Sequence, residues 1–181
     1  MRRRMVVLSA VIGIAIGGCG SGGADTKPYV DALVQSGARA GGAFKPTPAQ
    51  LRCQAQHVVG IIGVDTLKRS GLTPQKIAAT ADALTPVERS LPRAKAKKLV
   101  DFLLSGKCIS PVDESAAALK TRVPDDAKAR CITEAIIHLD AYRSFLVDQA
   151  MGKKSPNPLT DAATMRPVAK KCGVDRSVLG F

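Results

Sequence analysis

Residues 125–146 read DDAKARCITEAIIHLDAYRSFL and carry the strongest helical signal in the chain. Apolar residues recur on one helical face over several turns, namely Cys131, Ala135, Ile136, Leu139, Tyr142 and Leu146. Two aspartates begin the stretch directly after Pro124, where the helix dipole favours negative charge. Gly152 and the two lysines that follow it are expected to end the helix. The pattern therefore predicts one long amphipathic helix.

The rest of the chain alternates alanine-rich segments with glycine and proline, which favours an all-α fold. Three Thr-Pro pairs, at Thr47, Thr73 and Thr85, are typical of helix starts, because threonine can cap and proline suits the first turn. Gln50 and Glu88 complete capping boxes at the first and third of these starts. Further short helices are predicted at 27–34, 94–105, 113–121 and 160–172.

Two stretches of the chain are alike, Leu51-Arg52-Cys53 and Ala129-Arg130-Cys131. Apolar residues stand at equal distances after the two cysteines, in the pairs Val58/Ile136, Val59/Ile137, Ile61/Leu139 and Leu67/Phe145. We interpret them as two copies of one helical unit, at about 47–108 and 124–172. The predicted fold is a small helical bundle of two similar units, each pinned by a disulfide.

The cysteines support this division. Each half ends in a Lys-Cys pair, at Cys108 and at Cys172. Four cysteines in an oxidising compartment allow three pairings. The duplication favours Cys53–Cys108 and Cys131–Cys172, because each bond then closes its own unit. Such disulfides are expected to be structural.

A family resemblance rests on three motifs of the first half. They are Pro48-Ala49-Gln50-Leu51-Arg52-Cys53, Gly63-Val64-Asp65-Thr66-Leu67 and Gly71-Leu72-Thr73. Together with the later cysteines they resemble a pattern of uncharacterised secreted proteins and lipoproteins of actinobacteria, over most of residues 47–172. The second half departs from it, with Asp140-Ala141-Tyr142 in place of Gly-Val-Asp. The resemblance implies a small helical extracytoplasmic domain and supplies no activity.

The amino terminus has the layout of an export signal. Three arginines, Arg2 to Arg4, precede a short apolar run that ends at Ile16-Gly17-Gly18-Cys19. This segment resembles the lipobox of bacterial lipoproteins, which implies removal of residues 1–18 and lipidation of Cys19 with acyl chains such as palmitate. Residues 19–27 would then be the lipidated cysteine and a flexible tether, and 28–181 the helical domain. The predicted location is the extracytoplasmic face of the cell membrane.

The charge of the chain bears on its partners. The net charge is +12, and the mature part stays basic after the signal is removed. Outside the membrane, a basic surface favours anionic lipids, acidic envelope polymers or an acidic protein. The candidate anion-binding patch is Arg93, Lys95, Lys97 and Lys98. Nucleic acid is not an expected partner, because the chain is exported and has no Trp, two Tyr and four Phe for stacking bases.

Catalytic and metal-site patterns are not found in the sequence. His57 follows Cys53 by four residues and His138 follows Cys131 by seven, so each histidine shares a helix face with a cysteine. Those cysteines are expected to be oxidised, and further ligands do not stand nearby in the sequence. Three aspartates could in principle pair across helices as acid and base, but they are interpreted as exposed helix charges or caps: Asp65, Asp101 and Asp140. No catalytic residue, metal or cofactor is predicted.

Two functions fit these observations. The first is a non-catalytic, membrane-anchored module that binds a protein or an envelope component. The second is a carrier or sensor that encloses a small apolar ligand between the two units, since the chain is rich in Val, Ile, Leu and Ala but poor in aromatic residues. A cavity deeper than core packing requires would favour the second function.

Overall fold

The computed structural model describes residues 25–40, 43–80 and 84–175, without the side chains of Pro86 and Glu88. The predicted signal, Cys19 and most of the predicted tether lie outside these residues. The described chain folds into helices, so the predicted all-α class is confirmed.

The helices follow one another in short steps. Their bounds are α1 (Thr26–Arg39), α2 (Pro48–Ile62), α3 (Val64–Arg69), α4 (Pro74–Ala79), α5 (Thr85–Glu88), α6 (Arg93–Leu104), α7 (Pro111–Leu119), α8 (Asp126–Ile137), α9 (Asp140–Ala150) and α10 (Ala162–Cys172). A 3-10 helix, Pro158–Thr160, lies between α9 and α10. Within the described ranges, a helix long and apolar enough to cross a bilayer is not found.

A helix begins at each of the three Thr-Pro pairs, as predicted, and the threonine caps the helix at two of them. The Thr47 hydroxyl accepts a hydrogen bond from the Gln50 amide, and the Gln50 side chain accepts one from the Thr47 amide at 2.8 Å. The Thr73 hydroxyl likewise accepts a hydrogen bond, from the Lys76 amide, and so caps α4. The capping box predicted at Thr85 is wrong, because Thr85 already lies within α5. Leu84 holds the N-cap position there, and its side chain has no acceptor atom.

The single long helix predicted after Pro124 is also wrong. The chain leaves the helix after Ile137, and Leu139 is extended, with φ −74° and ψ 123°. The break redirects the chain between two hydrophobic clusters. Ile132 of α8 is buried in one of them, whereas Val147 of α9 is buried in the other. A straight helix would keep one apolar face on one cluster.

The two clusters divide the molecule. The first is built on α1 to α6, with Ile62, Leu67 and Ile77 fully buried at its centre, and it takes in Val147 of α9. The second lies among α7, α8 and α10, with the buried residues Ala116, Val123, Ala129, Ile132, Met165, Val168 and Cys172. The apolar contacts thus extend beyond the predicted limits of the two units, at 47–108 and 124–172.

The predicted disulfide pairing is confirmed. Cys53 of α2 is bonded to Cys108, in the segment after α6, with Cα atoms 5.5 Å apart. Cys131 of α8 is bonded to Cys172 at the end of α10, with Cα atoms 5.6 Å apart. Each bond therefore joins a helix to the end of the same predicted unit.

We expect Thr47→Ala to lower the free energy of unfolding by about 1 kcal/mol, because it removes the acceptor that caps α2. Urea denaturation followed by circular dichroism measures the loss. Thr121→Ala is the matched control, since Thr121 is exposed in the turn after α7. An equal loss in both variants would contradict the capping role.

Candidate functional site

Two ion pairs join α6 to α9 and show the relative direction of the two helices. Arg93 contacts Asp148 at 3.4 Å, and Arg143 contacts Asp101 at 2.6 Å. The earlier residue of α6 meets the later residue of α9, so the two helices run antiparallel. Their apolar side chains meet between the two ion pairs.

An apolar cleft of about 310 Å³ opens along this junction. Its lining is apolar at Leu99, Val100, Leu103, Leu146 and Ala150 and polar at Thr85, Arg89 and Gln149. Leu103 is 37% exposed although it is a large apolar side chain. Leu99 and Leu103 also line a second depression, of about 230 Å³, that faces α1 and α2. Helix α6 therefore presents apolar surface on both of its flanks.

The polar rim of the cleft depends on a glycine. Gly152, just after α9, has φ +68°, a conformation that favours glycine. A Cβ atom there would lie 3.1 Å from the Cβ of Arg89 and 3.3 Å from its carbonyl oxygen. The missing side chain lets the turn after α5 lie against the end of α9. This contact places Arg89 beside the apolar lining.

A second candidate site surrounds the Cys53–Cys108 disulfide. The Nδ1 atom of His57 lies 3.0 Å from the carbonyl oxygen of Cys53, which can only accept a hydrogen bond, so Nδ1 carries the proton. The same Nδ1 lies 3.9 Å from Sγ of Cys108. The imidazole ring also stacks on Phe102, with centroids 4.6 Å apart and planes 6° apart. These contacts hold the imidazole with its N–H beside the disulfide.

The same three residues have the composition of a metal site. The ligand atoms of Cys53, His57 and Cys108 all lie within 4.8 Å of one another. In the disulfide, however, neither sulfur is a thiolate, which is the form that binds metals. The proton on Nδ1 occupies the nitrogen nearest the sulfurs. The oxidised cluster therefore offers a metal ion neither a thiolate nor a lone pair on Nδ1.

The predicted anion-binding patch on α6 is largely engaged within the molecule. Arg93 and Lys97 each form an ion pair with an aspartate. Lys95 donates from Nζ to the carbonyl oxygen of Ile62 at 2.7 Å, so it stabilises the end of α2. Lys98 is exposed. Three of the four side chains thus already have a partner within the molecule.

The remaining candidate residues lie exposed at helix ends or take part in ion pairs. Asp65 and Asp140 are exposed in the first turns of α3 and α9. His138 is exposed at the end of α8. Hydrogen bonds from Lys97 and then from Arg143 hold the pKa of Asp101 below its usual range. Asp101 is thus a stable anion that joins α6 to α9.

Comparisons of the chain with protein-family models, with curated proteins and with solved structures gave no match. The resemblance of residues 47–172 to secreted actinobacterial proteins therefore stays a prediction.

Asp101→Asn should make stability less dependent on pH. Because the folded-state pKa of Asp101 is lowered, its ionised form stabilises the protein above the unfolded-state pKa, and this contribution is lost as the pH falls through the folded-state pKa. The variant should be less stable than the wild type by up to about 1 kcal/mol at neutral pH, as for partly exposed ion pairs.

At a pH below the folded-state pKa, that difference should disappear. Urea denaturation at several pH values tests this, with Glu134→Gln on the exposed side of α8 as the control. A loss of stability that is the same at every pH would mean that packing, not charge, is responsible.

Proposed function

We propose that this chain is a lipid-anchored extracytoplasmic protein whose helical domain binds a small apolar ligand in the cleft between α6 and α9. The main support for this proposal is the cleft between α6 and α9. Its volume of about 310 Å³ and its apolar lining with a few polar groups match the usual composition of small-molecule sites. In this proposal the protein binds its ligand without transforming it.

The charge beside the cleft specifies the ligand further. Arg89 is exposed at the rim, while Leu99, Leu103 and Leu146 form the apolar wall. A ligand with one apolar chain and one anionic head group would satisfy both, since the chain is desolvated and the guanidinium binds the head group. A long-chain carboxylic acid is the simplest compound of this class.

The sequence supports a location at the membrane, where such compounds are concentrated. With a lipidated Cys19, a fully extended chain to Thr26 would span at most about 25 Å. The exposed cations of α10 are suited to contact the anionic head groups of membrane lipids. Arg166, Lys170 and Lys171 are exposed, and none of them forms an ion pair within the described ranges.

Binding through the α6 basic patch is the weaker proposal. Three of its four cations already have partners within the molecule, as described above. An acidic polymer or protein would have to displace these contacts. The apolar cleft requires no such rearrangement.

Leu103→Gln should weaken binding of a dansyl-labelled undecanoic acid about tenfold, because a polar group would enter the apolar wall. The absence of Trp makes fluorescence titration straightforward, since the protein contributes little emission at the wavelengths used. Val112→Gln is the matched control, because Val112 is half-buried on α7 and does not line the cleft. Failure to bind saturably, or equal weakening in the control, would exclude this cleft as the site.

Arg89→Gln should distinguish the contribution of the anionic head group to binding from that of the apolar chain. We expect it to weaken binding of the carboxylic acid at least about tenfold, because a charged hydrogen bond contributes about 1.5 to 3 kcal/mol. Binding of the corresponding neutral alcohol should not change. Arg122→Gln, at an exposed arginine after α7, is the control. If acid and alcohol are affected alike, Arg89 does not bind the head group.

Cys19→Ser should abolish the membrane anchor, because serine has no thiol to lipidate. Cells grown with labelled palmitate would show label on the wild-type protein and none on the variant. Ser21→Ala is the control within the predicted tether. A labelled variant, or a wild-type protein without label, would contradict the predicted anchor.

A further inference from the structure

The two disulfides have different surroundings. Cys172 is buried, with 7% exposure, and its partner Cys131 is half-buried, and both pack in the second hydrophobic cluster. Cys53 and Cys108 are both half-buried, and the exposed His57 lies beside them. Cys108 also lies in a bend between α6 and α7 rather than in a helix. A small solute can therefore reach the first disulfide more easily than the second.

We propose that the Cys53–Cys108 disulfide is a thiol-exchange site at which a low-molecular-weight thiol becomes attached to Cys53. This proposal is independent of ligand binding in the cleft. The reactant is a monothiol, and the product is a mixed disulfide on Cys53 with a free Cys108. Because one disulfide is exchanged for another, the reaction needs no further oxidant or reductant.

The exchange is a single nucleophilic displacement at sulfur. The incoming thiol loses its proton to water, and its thiolate attacks Sγ of Cys53. A new sulfur–sulfur bond forms there while the bond to Cys108 breaks. The electron pair of the broken bond stays on Sγ of Cys108, which then takes up a proton from water.

The position of His57 determines which sulfur leaves. Its Nδ1–H donates to the carbonyl oxygen of Cys53 at 3.0 Å and lies 3.9 Å from Sγ of Cys108, so negative charge that develops on this sulfur can share the proton in a three-centre hydrogen bond. A donor beside a developing anion stabilises the transition state. The stacked Phe102 ring keeps the imidazole in place during this step. His57 is thus the residue that directs exchange towards Cys53.

The fold can accommodate the product. Cys53 lies within α2, whose backbone is fixed by its helical hydrogen bonds and by the capping box at Thr47. Cys108 lies in the bend at residues 107–109, between α6 and α7. After cleavage, this bend can move away from α2 while Cys53 keeps its position. The second disulfide continues to join α8 to α10.

Exchange with glutathione tests the proposal on the purified full chain. Samples are quenched with acid at intervals, alkylated and mapped by mass spectrometry. We expect glutathione on Cys53, the alkyl group on Cys108, and an intact Cys131–Cys172 disulfide as the internal control. Attachment mainly to Cys108, equal attachment to both cysteines, or equal reaction of the second disulfide would overturn the proposal. This measurement needs no variant.

His57→Phe then tests the role of the N–H group, because phenylalanine keeps a ring for stacking on Phe102 and removes the donor. The variant should form the Cys53 adduct about tenfold more slowly and should lose the preference for Cys53. His138→Gln is the control for the other histidine. An unchanged rate and an unchanged site of attachment would show that His57 does not direct the exchange.

Discussion

The arrangement of the first cluster depends on the contact between α2 and α6, and the Cys53–Cys108 disulfide adds a covalent link between α2 and the segment after α6. Lys95 adds a second connection between the same helices through the last turn of α2. With α6 held in this way, one of its faces is buried at Ala96, Leu99 and Val100. The adjacent face of α6 packs against α9. The cleft lies where the side chains of these two helices leave space between them.

The composition of the core explains why covalent bonds are useful here. Many of the buried side chains are alanine and valine, and Tyr29 is the buried aromatic side chain of the described part. Small side chains allow helices to approach closely but remove less apolar surface from water per residue. The chain-entropy model assigns about 4 kcal/mol to loops of this length, so the two disulfides offset part of this deficit.

Local chemistry determined what could be predicted from the sequence. Capping residues, prolines and cysteines act over a few residues or in pairs, so the helix starts at Thr47 and Thr73 and both disulfides were predicted. The break at Leu139 was not, because periodicity shows which face of a helix is apolar and not which cluster it meets. The contact of His57 with Cys108 joins residues 51 positions apart. The cleft likewise depends on how α6 and α9 meet, which no local pattern contains.

The break between α8 and α9 affects how the molecule unfolds. In the sequence, α9 stands between two helices of the second cluster, yet its Val147 is buried in the first. A single cut of the backbone cannot divide the chain into two fragments that each keep a complete core. Loss of order in one cluster should therefore propagate to the other, as one cooperative transition rather than two. The two clusters therefore share one continuous run of chain, although each disulfide joins two cysteines of the same half.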